Sequence, residues 1–247
     1  MNGQMNKDEL DIRGLVRFSL IDFPGKIAAV LFTGGCNLRC AFCHNPHLVL
    51  DPGSQPLIRE HKVLTFLESR VGKLDGVVIS GGEPTLQRGL HRFAQTVQQM
   101  GYAVKLDSNG TNPGVLESLY SDGLLQMLGI DYKAPAGEYC DVCGSHDPAL
   151  AEKVRTSIGF ALRNRIPLDV RTTVHRAILS PESLLRMRAE LDEMGVKEWT
   201  LQQFNPVDVL EPGLEKTPTY SDSELVALAR QAGHTRVKGL SGIFLNV

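Results

Sequence analysis

The sequence predicts an α/β fold built on a mainly parallel sheet. Short β-branched runs alternate with amphipathic helical stretches over most of its 247 residues. Strand–helix alternation of this kind joins parallel neighbours through right-handed crossovers. In addition, the polar clusters fall at the carboxyl ends of the strand candidates, where α/β folds build their sites. An open partial barrel and a doubly wound sheet both satisfy the pattern.

The strand candidates, in order, are Ile27–Thr33, Gly76–Ser80, Ala103–Leu106, Leu125–Ile130, Pro167–Val174 and Val196–Phe204. Helices are predicted near Ile58–Arg70, Leu86–Met100, Pro113–Tyr120, Pro148–Asn164, Pro181–Met194 and Asp222–Gln231. Asp147 before Pro148 reads as an N-cap with proline at the first helical position. Ser221 with Glu224 fits a capping box. Gly101 and Gly195 stand where helices commonly end in a left-handed glycine. Leu150, Val154 and Ile158 recur at four-residue spacing, as one buried helical stripe does. Met100, Met127, Met187, Met194 and Trp199 read as core residues. A single domain over 1–247 is expected, with a ragged N-terminus over 1–13 and a C-terminal extension over 207–247.

Composition narrows the class. Hydrophobic residues make up 42% and charged residues 22%, which excludes a disordered chain, a collagen and a coiled coil. The net charge is −2, so no electrostatic footprint for nucleic acid is expected. No apolar run approaches the ~20 residues that span a bilayer. The first residues are polar and lack the apolar core of a signal peptide. A cytoplasmic protein with no membrane partner is expected. Its cysteines number five, and in a reducing compartment metal or redox chemistry explains them better than disulfides.

Three of them lie in Thr33-Gly34-Gly35-Cys36-Asn37-Leu38-Arg39-Cys40-Ala41-Phe42-Cys43-His44-Asn45-Pro46, spaced C-x3-C-x2-C. Three thiolates on one tight loop suit zinc or an iron–sulfur cluster. Structural zinc wants four closed ligands, and His44 is a candidate fourth. A [4Fe–4S] cluster held by three thiolates leaves one iron open to a ligand. The second polar cluster is Gly81-Gly82-Glu83-Pro84. The third is Asp107-Ser108-Asn109-Gly110, and the fourth is Asp131-Tyr132-Lys133. Arg171 and His175 follow, then Gln202, Gln203 and Asn205.

The cysteine loop after the first strand candidate, with Phe42 before its last cysteine and Gly81–Pro84 after the second strand candidate, resembles the radical S-adenosylmethionine superfamily. The segment Arg17-Phe18-Ser19-Leu20-Ile21-Asp22-Phe23-Pro24-Gly25-Lys26, with Cys43-His44-Asn45-Pro46, is similar to the glycyl-radical-enzyme activases, above all the long form of the anaerobic ribonucleoside-triphosphate reductase activating proteins. The likeness runs from about Gly14 to Pro206.

The resemblance implies a partial (β/α)6 barrel with mainly parallel strands. It implies a [4Fe–4S] cluster on Cys36, Cys40 and Cys43, and S-adenosylmethionine bound at the open iron and cleaved reductively. Phe42, Gly81, Gly82, Glu83, Asp107, Ser108, Lys133 and Arg171 are the implied cofactor-binding residues. For Arg171, a structural ion pair is an equal alternative. Asp107 and Asp131 are the implied holders of a monovalent cation. Against this, Asp107 can instead start an Asx turn at Asn109-Gly110, and Lys133 can be solvated. The implied partners are an anaerobic ribonucleotide reductase as protein substrate, entering the open side of the barrel, and a flavodoxin- or ferredoxin-type electron donor. Two alternatives stand beside this reading. One keeps the chemistry with another glycyl radical enzyme or a small molecule as substrate. The other is a non-catalytic zinc-binding α/β module. Cys140-Asp141-Val142-Cys143 lies outside the family pattern: extra ligands, a redox pair and two ordinary loop residues are its three readings.

Overall fold

The structure is a computed structural model that describes residues 8–240. Expectations for residues 1–7 and 241–247 lie outside the described residues. The strands are β1 (Ile12–Ser19), β2 (Ala28–Thr33), β3 (Gly76–Gly81), β4 (Ala103–Ser108), β5 (Met127–Asp131), β6 (Leu168–Val174), β7 (Trp199–Gln203) and β8 (Thr235–Lys238), paired in chain order. The helices are α1 (Pro46–Leu50), α2 (Glu60–Glu68), α3 (Leu90–Gln99), α4 (Pro113–Ser121), α5 (Tyr139–Cys143), α6 (Leu150–Arg163), α7 (Pro181–Met194), α8 (Pro212–Lys216) and α9 (Asp222–Ala232). The expected mainly parallel α/β class is what forms. No helix among the described residues is long and apolar enough to cross a membrane.

The chain divides into two compact units. Unit 1 runs up to Asn37 and adds His47–Ser108 and Gly114–Leu128. Unit 2 takes Leu38–Pro46, Asn109–Pro113 and everything from Gly129 on.

In unit 1, β2, β3 and β4 are parallel, with Thr33 opposite Gly81 and Ile79 opposite Leu106. Ala28, Val30, Leu31, Val77, Val78 and Ile79 are buried, the near-continuous apolar run of a sheet covered on both faces. Phe93 and Val97 of α3 and Val63 and Leu67 of α2 are buried with them. β1 pairs antiparallel with β2 and was not expected as a strand. Its register shifts between Ile12 and Gly14 and again between Val16 and Ser19. Two irregularities in eight residues erase the period-two pattern by which a strand is read.

In unit 2, β6, β7 and β8 are parallel, with Thr173 opposite Gln202 and Gln202 opposite Lys238. The expected stripe Leu150, Val154 and Ile158 is buried on α6. Trp199 is fully buried, and its Nε1 donates to Thr172 Oγ1 at 2.9 Å. Met127 and Met187 are buried as expected, whereas Met100 and Met194 are only half-buried. Four-residue β8 is too short to show a pattern. The capping box at Ser221–Glu224 forms. The cap expected from Asp147 does not: α6 starts at Leu150, and Asp147 Oδ1 accepts the Ala149 N–H at 3.0 Å in a turn that precedes the helix.

Candidate active site

In unit 1 the ends of β2 and β3 are laced together through their backbones. Gly34 N–H donates to Asp11 O at 2.8 Å and Gly35 N–H to Leu48 O at 2.7 Å. Gly82 N–H donates to Thr33 O, and Glu83 N–H to Gly35 O, each at 2.8 Å. This explains the paired glycines. Gly81 has φ +116°, and a Cβ at Gly82 would overlap the carbonyl oxygen of Gly35. The turn therefore lies against the residue before Cys36, and that closeness demands glycine. Cys36 is half-buried here.

Glu83 is fully buried. Its Oε1 accepts from Thr85 N–H at 3.0 Å, Thr85 Oγ1 at 2.6 Å and Ser108 Oγ at 2.9 Å. The side chain thus ties the turn after β3 to the end of β4. Asp107 pairs with Lys105 Nζ at 2.6 Å, and Lys105 is itself fully buried. Sequence reasoning missed Lys105. A lysine in the interior of a strand is normally a solvent-facing residue, and no spacing rule marks it as buried.

In unit 2, Asn109 makes an Asx turn. Its Oδ1 accepts from Thr111 N–H at 3.0 Å and Thr111 Oγ1 at 2.7 Å. Lys133 is not solvated. Its Nζ contacts Asp131 Oδ2 at 3.1 Å and lies 5.6 Å from the centroid of the Phe42 ring. Arg171 Nε reaches Asp131 Oδ1 at 2.8 Å. Asp131 therefore sits between two cations. Burial acts to raise its pKa, but Lys133 and Arg171 outweigh that and hold it well below the usual carboxylate range. The ion-pair alternative for Arg171 is thus realised at Asp131. Asp169, at 3.8 Å from Arg171 Nη1, was not foreseen.

Phe42 and Cys40 are buried, and Cys43 is half-buried. A hydrogen bond from Cys143, assisted by the charge of Lys133, lowers the Cys40 thiol. Burial pushes Cys43 up, and burial pushes the His44 imidazole down. His44 meets Phe204 at a tilt and His175 meets it edge-on, with ring centroids 5.4 Å and 4.7 Å apart. An open cavity of about 440 Å³ is lined by His44, Thr173, Gln202, Asn205 and Lys238 among others. Of these, Thr173 and Lys238 were not anticipated.

Among the described residues, no three His, Cys, Asp or Glu side chains are arranged to hold one metal ion. A zinc site needs that convergence. The thiolates of a cubane do not, because each binds a different iron. The donor set fits such a cluster: none of the five cysteines is in a disulfide, and the lowered Cys40 favours the thiolate that binds iron.

The family model of the radical SAM superfamily matches residues 30–175. The chain belongs to this superfamily. Its cofactors are accordingly a [4Fe–4S] cluster and S-adenosylmethionine, and the zinc-module alternative falls. This radical SAM chain is 30% identical over 225 residues to a Methanocaldococcus jannaschii protein named as a glycyl-radical enzyme activating enzyme, covering 90% of this chain and 91% of that one. It is 32% identical over 133 residues to the pyruvate formate-lyase-activating enzyme of Clostridium pasteurianum, covering 52% and 56%. These relatives place it in the activase branch. Among solved structures, Streptococcus suis SuiB bound to S-adenosylmethionine matches with TM-score 0.62 at 13% identity, over 83% of this chain and 48% of that one. TYW1 with a lysine-pyruvate adduct matches with TM-score 0.60 at 17% identity, over 83% and 72%. The chain spans about half the length of SuiB, and at these identities the likeness is one of fold.

Proposed function

We propose that the protein is an activase that cleaves S-adenosylmethionine reductively and installs a glycyl radical on an anaerobic ribonucleoside-triphosphate reductase. The supporting observation is the 30% identity to a named glycyl-radical enzyme activating enzyme over nine-tenths of both chains. The fit of this chain to the long reductase activases, through Arg17–Lys26 and Cys43–Pro46, supports the choice of target.

Cys36, Cys40 and Cys43 are the proposed iron ligands. When bound, the cluster and S-adenosylmethionine supply one-electron cleavage of a sulfonium bond and a carbon radical that takes hydrogen from a glycine Cα. The protein's own part is binding and exclusion of water. The carbonyls of Gly81 and Gly82 are proposed acceptors for the ligand's ammonium group. Lys133, held over Phe42, is the proposed partner of its carboxylate. Asp131 fixes Lys133 in place by charge and is itself held by Arg171. Glu83 and Ser108 act by shaping the Gly81–Gly82 turn, because both are buried in mutual contact. A monovalent cation at Asp107 and Asp131 would share carboxylates that already carry lysine partners. A flavodoxin- or ferredoxin-type protein is the proposed electron donor. The partial match to a pyruvate formate-lyase-activating enzyme favours a second target, a lyase of that type.

The test is anaerobic. Reconstituted, reduced protein is mixed with S-adenosylmethionine and either candidate enzyme. The paramagnetic resonance spectrum and 5′-deoxyadenosine are measured in the same tube. A glycyl doublet only with the reductase supports the proposal. A doublet only with the lyase transfers it to the second target. Deoxyadenosine formation without a doublet leaves the cleavage chemistry and removes both targets. Cys40→Ala should lose the brown colour and the iron.

A further inference from the structure

Three successive backbone carbonyls lead into Cys36, and each is held by the segment that follows β3. Thr33 O accepts from Gly82 N–H at 2.8 Å, and Gly35 O accepts from Glu83 N–H at 2.8 Å. Between them, Gly34 O accepts from the side chain of Gln87, whose Nε2 donates at 2.7 Å. The same amide also works in the other direction: Gln87 Oε1 accepts from Asp11 N–H at 3.1 Å. Asp11 O in turn accepts from Gly34 N–H at 2.8 Å, so Gln87, Asp11 and Gly34 close a ring of hydrogen bonds. Gly34 is buried and Gln87 is half-buried. Space at Gly34 is tight, since a Cβ there would stand 2.6 Å from Asp11 Oδ2 and 2.7 Å from Pro52 Cβ. Gln87 itself is set by the single turn Pro84–Leu86, with its N–H donating to Pro84 O at 3.0 Å. All of these residues belong to unit 1.

We propose that Gln87 is a positioning residue: its amide clamps the Gly34 carbonyl and so fixes where Cys36 stands relative to the Gly81–Gly82 turn. This rests on reading Cys36 as an iron ligand and the Gly81 and Gly82 carbonyls as acceptors for the ammonium group of S-adenosylmethionine. A ligand that reaches both must find them at one separation. Gly34 and Gly35 are adjacent glycines, the residues whose backbone turns most freely. A buried carbonyl left unpaired there is costly, so the peptide that carries it turns to find a partner. The bonds at Thr33 and Gly35 come from the backbone of the turn. The bond at Gly34 comes from a side chain, so a substitution can remove it alone. The rival reading is that Gln87 serves stability only, by pinning Asp11 through Oε1.

The experiment uses the full chain, reconstituted anaerobically, as wild type, Gln87→Glu and Gln87→Lys. The glutamate keeps an acceptor for Asp11 N–H but turns an oxygen, not a donor, toward the Gly34 carbonyl. The lysine keeps a donor and gives up the acceptor. Iron and sulfide are counted, Tm is recorded, and the reduced centre is titrated with S-adenosylmethionine under paramagnetic resonance detection. The expected result is a full iron complement in all three. Gln87→Glu should show an about tenfold higher Kd for S-adenosylmethionine, the lower end of what losing an outer-shell partner costs. Gln87→Lys should bind close to wild type. An unchanged Kd in Gln87→Glu overturns the proposal, and a lower Tm beside it assigns Gln87 to stability alone. Equal weakening in both variants also overturns it, because the Gly34 bond is then not the cause. Iron loss in Gln87→Glu overturns it by making Gln87 a residue of cluster assembly. If Gln87→Glu does not fold, Gln87→Met takes its place with the same expectation. A wild-type signal that ignores S-adenosylmethionine instead overturns the reading beneath the proposal, and that measurement needs no variant.

Discussion

Asp131 carries the charge on which two neighbours depend. With its carboxyl held below the usual range by Lys133 and Arg171, it contributes stability that is present above about pH 4, the ordinary aspartate value. That stability is lost as pH falls through the lower folded value. Urea midpoints at pH 7 and pH 3 test this: wild type should lose more between them than Asp131→Asn, which has no charge to lose. Gly82 sets a steric limit of a different kind. Gly82→Ala drives a methyl into the Gly35 carbonyl, and overpacking of this kind costs about 1–3 kcal/mol. A fall in Tm with reduced iron uptake is expected. Gly114→Ala, where a Cβ meets nothing within 4 Å, should leave both unchanged. The glycine pair was legible as a motif. Its cause, a crossing with Gly35, was not, because the two residues are far apart in sequence.

At the scale of elements, Glu83 joins the turn after β3 to the end of β4 through one oxygen. Glu83→Ala removes the acceptor of two Thr85 bonds and one Ser108 bond in a buried setting, at about 1 kcal/mol for each bond lost. Glu83→Gln keeps the accepting oxygen and should retain most of the thermal stability. On α9 the Ser221 cap accepts the Glu224 N–H at 3.3 Å, and Ser221→Ala should cost about 1 kcal/mol in chemical unfolding. Strands with long buried runs, such as Ala28–Thr33, were read to within a residue. β1 escaped because its bulges break the alternation, and α5 because five residues make little more than one turn. At the site, the cysteines and glycines announced themselves by spacing. Lys105 and Asp169 did not, since each acquires its role from a partner that only folding supplies.

For the whole molecule, neither unit is a continuous piece of chain. Leu38–Pro46 and Asn109–Pro113 leave unit 1 and return to it, and β5 begins in unit 1 and ends in unit 2. A strand cannot be half-formed without losing its ladder, so unfolding should be shared. Trp199, the sole tryptophan, reports unit 2. Its fluorescence transition in denaturant should coincide with the far-UV dichroism of the whole chain, and two separated transitions would contradict the shared strand.

Lys105 and Asp107 face one another two residues apart on β4, and the lysine has no exposed surface. Removing the Asp107 charge alone takes from buried Lys105 the carboxylate that compensates it, whereas exchanging both for apolar residues does not strand the lysine. Across related sequences, positions 105 and 107 should therefore drift as a unit: both ionic or both neutral, with mixed pairs rare.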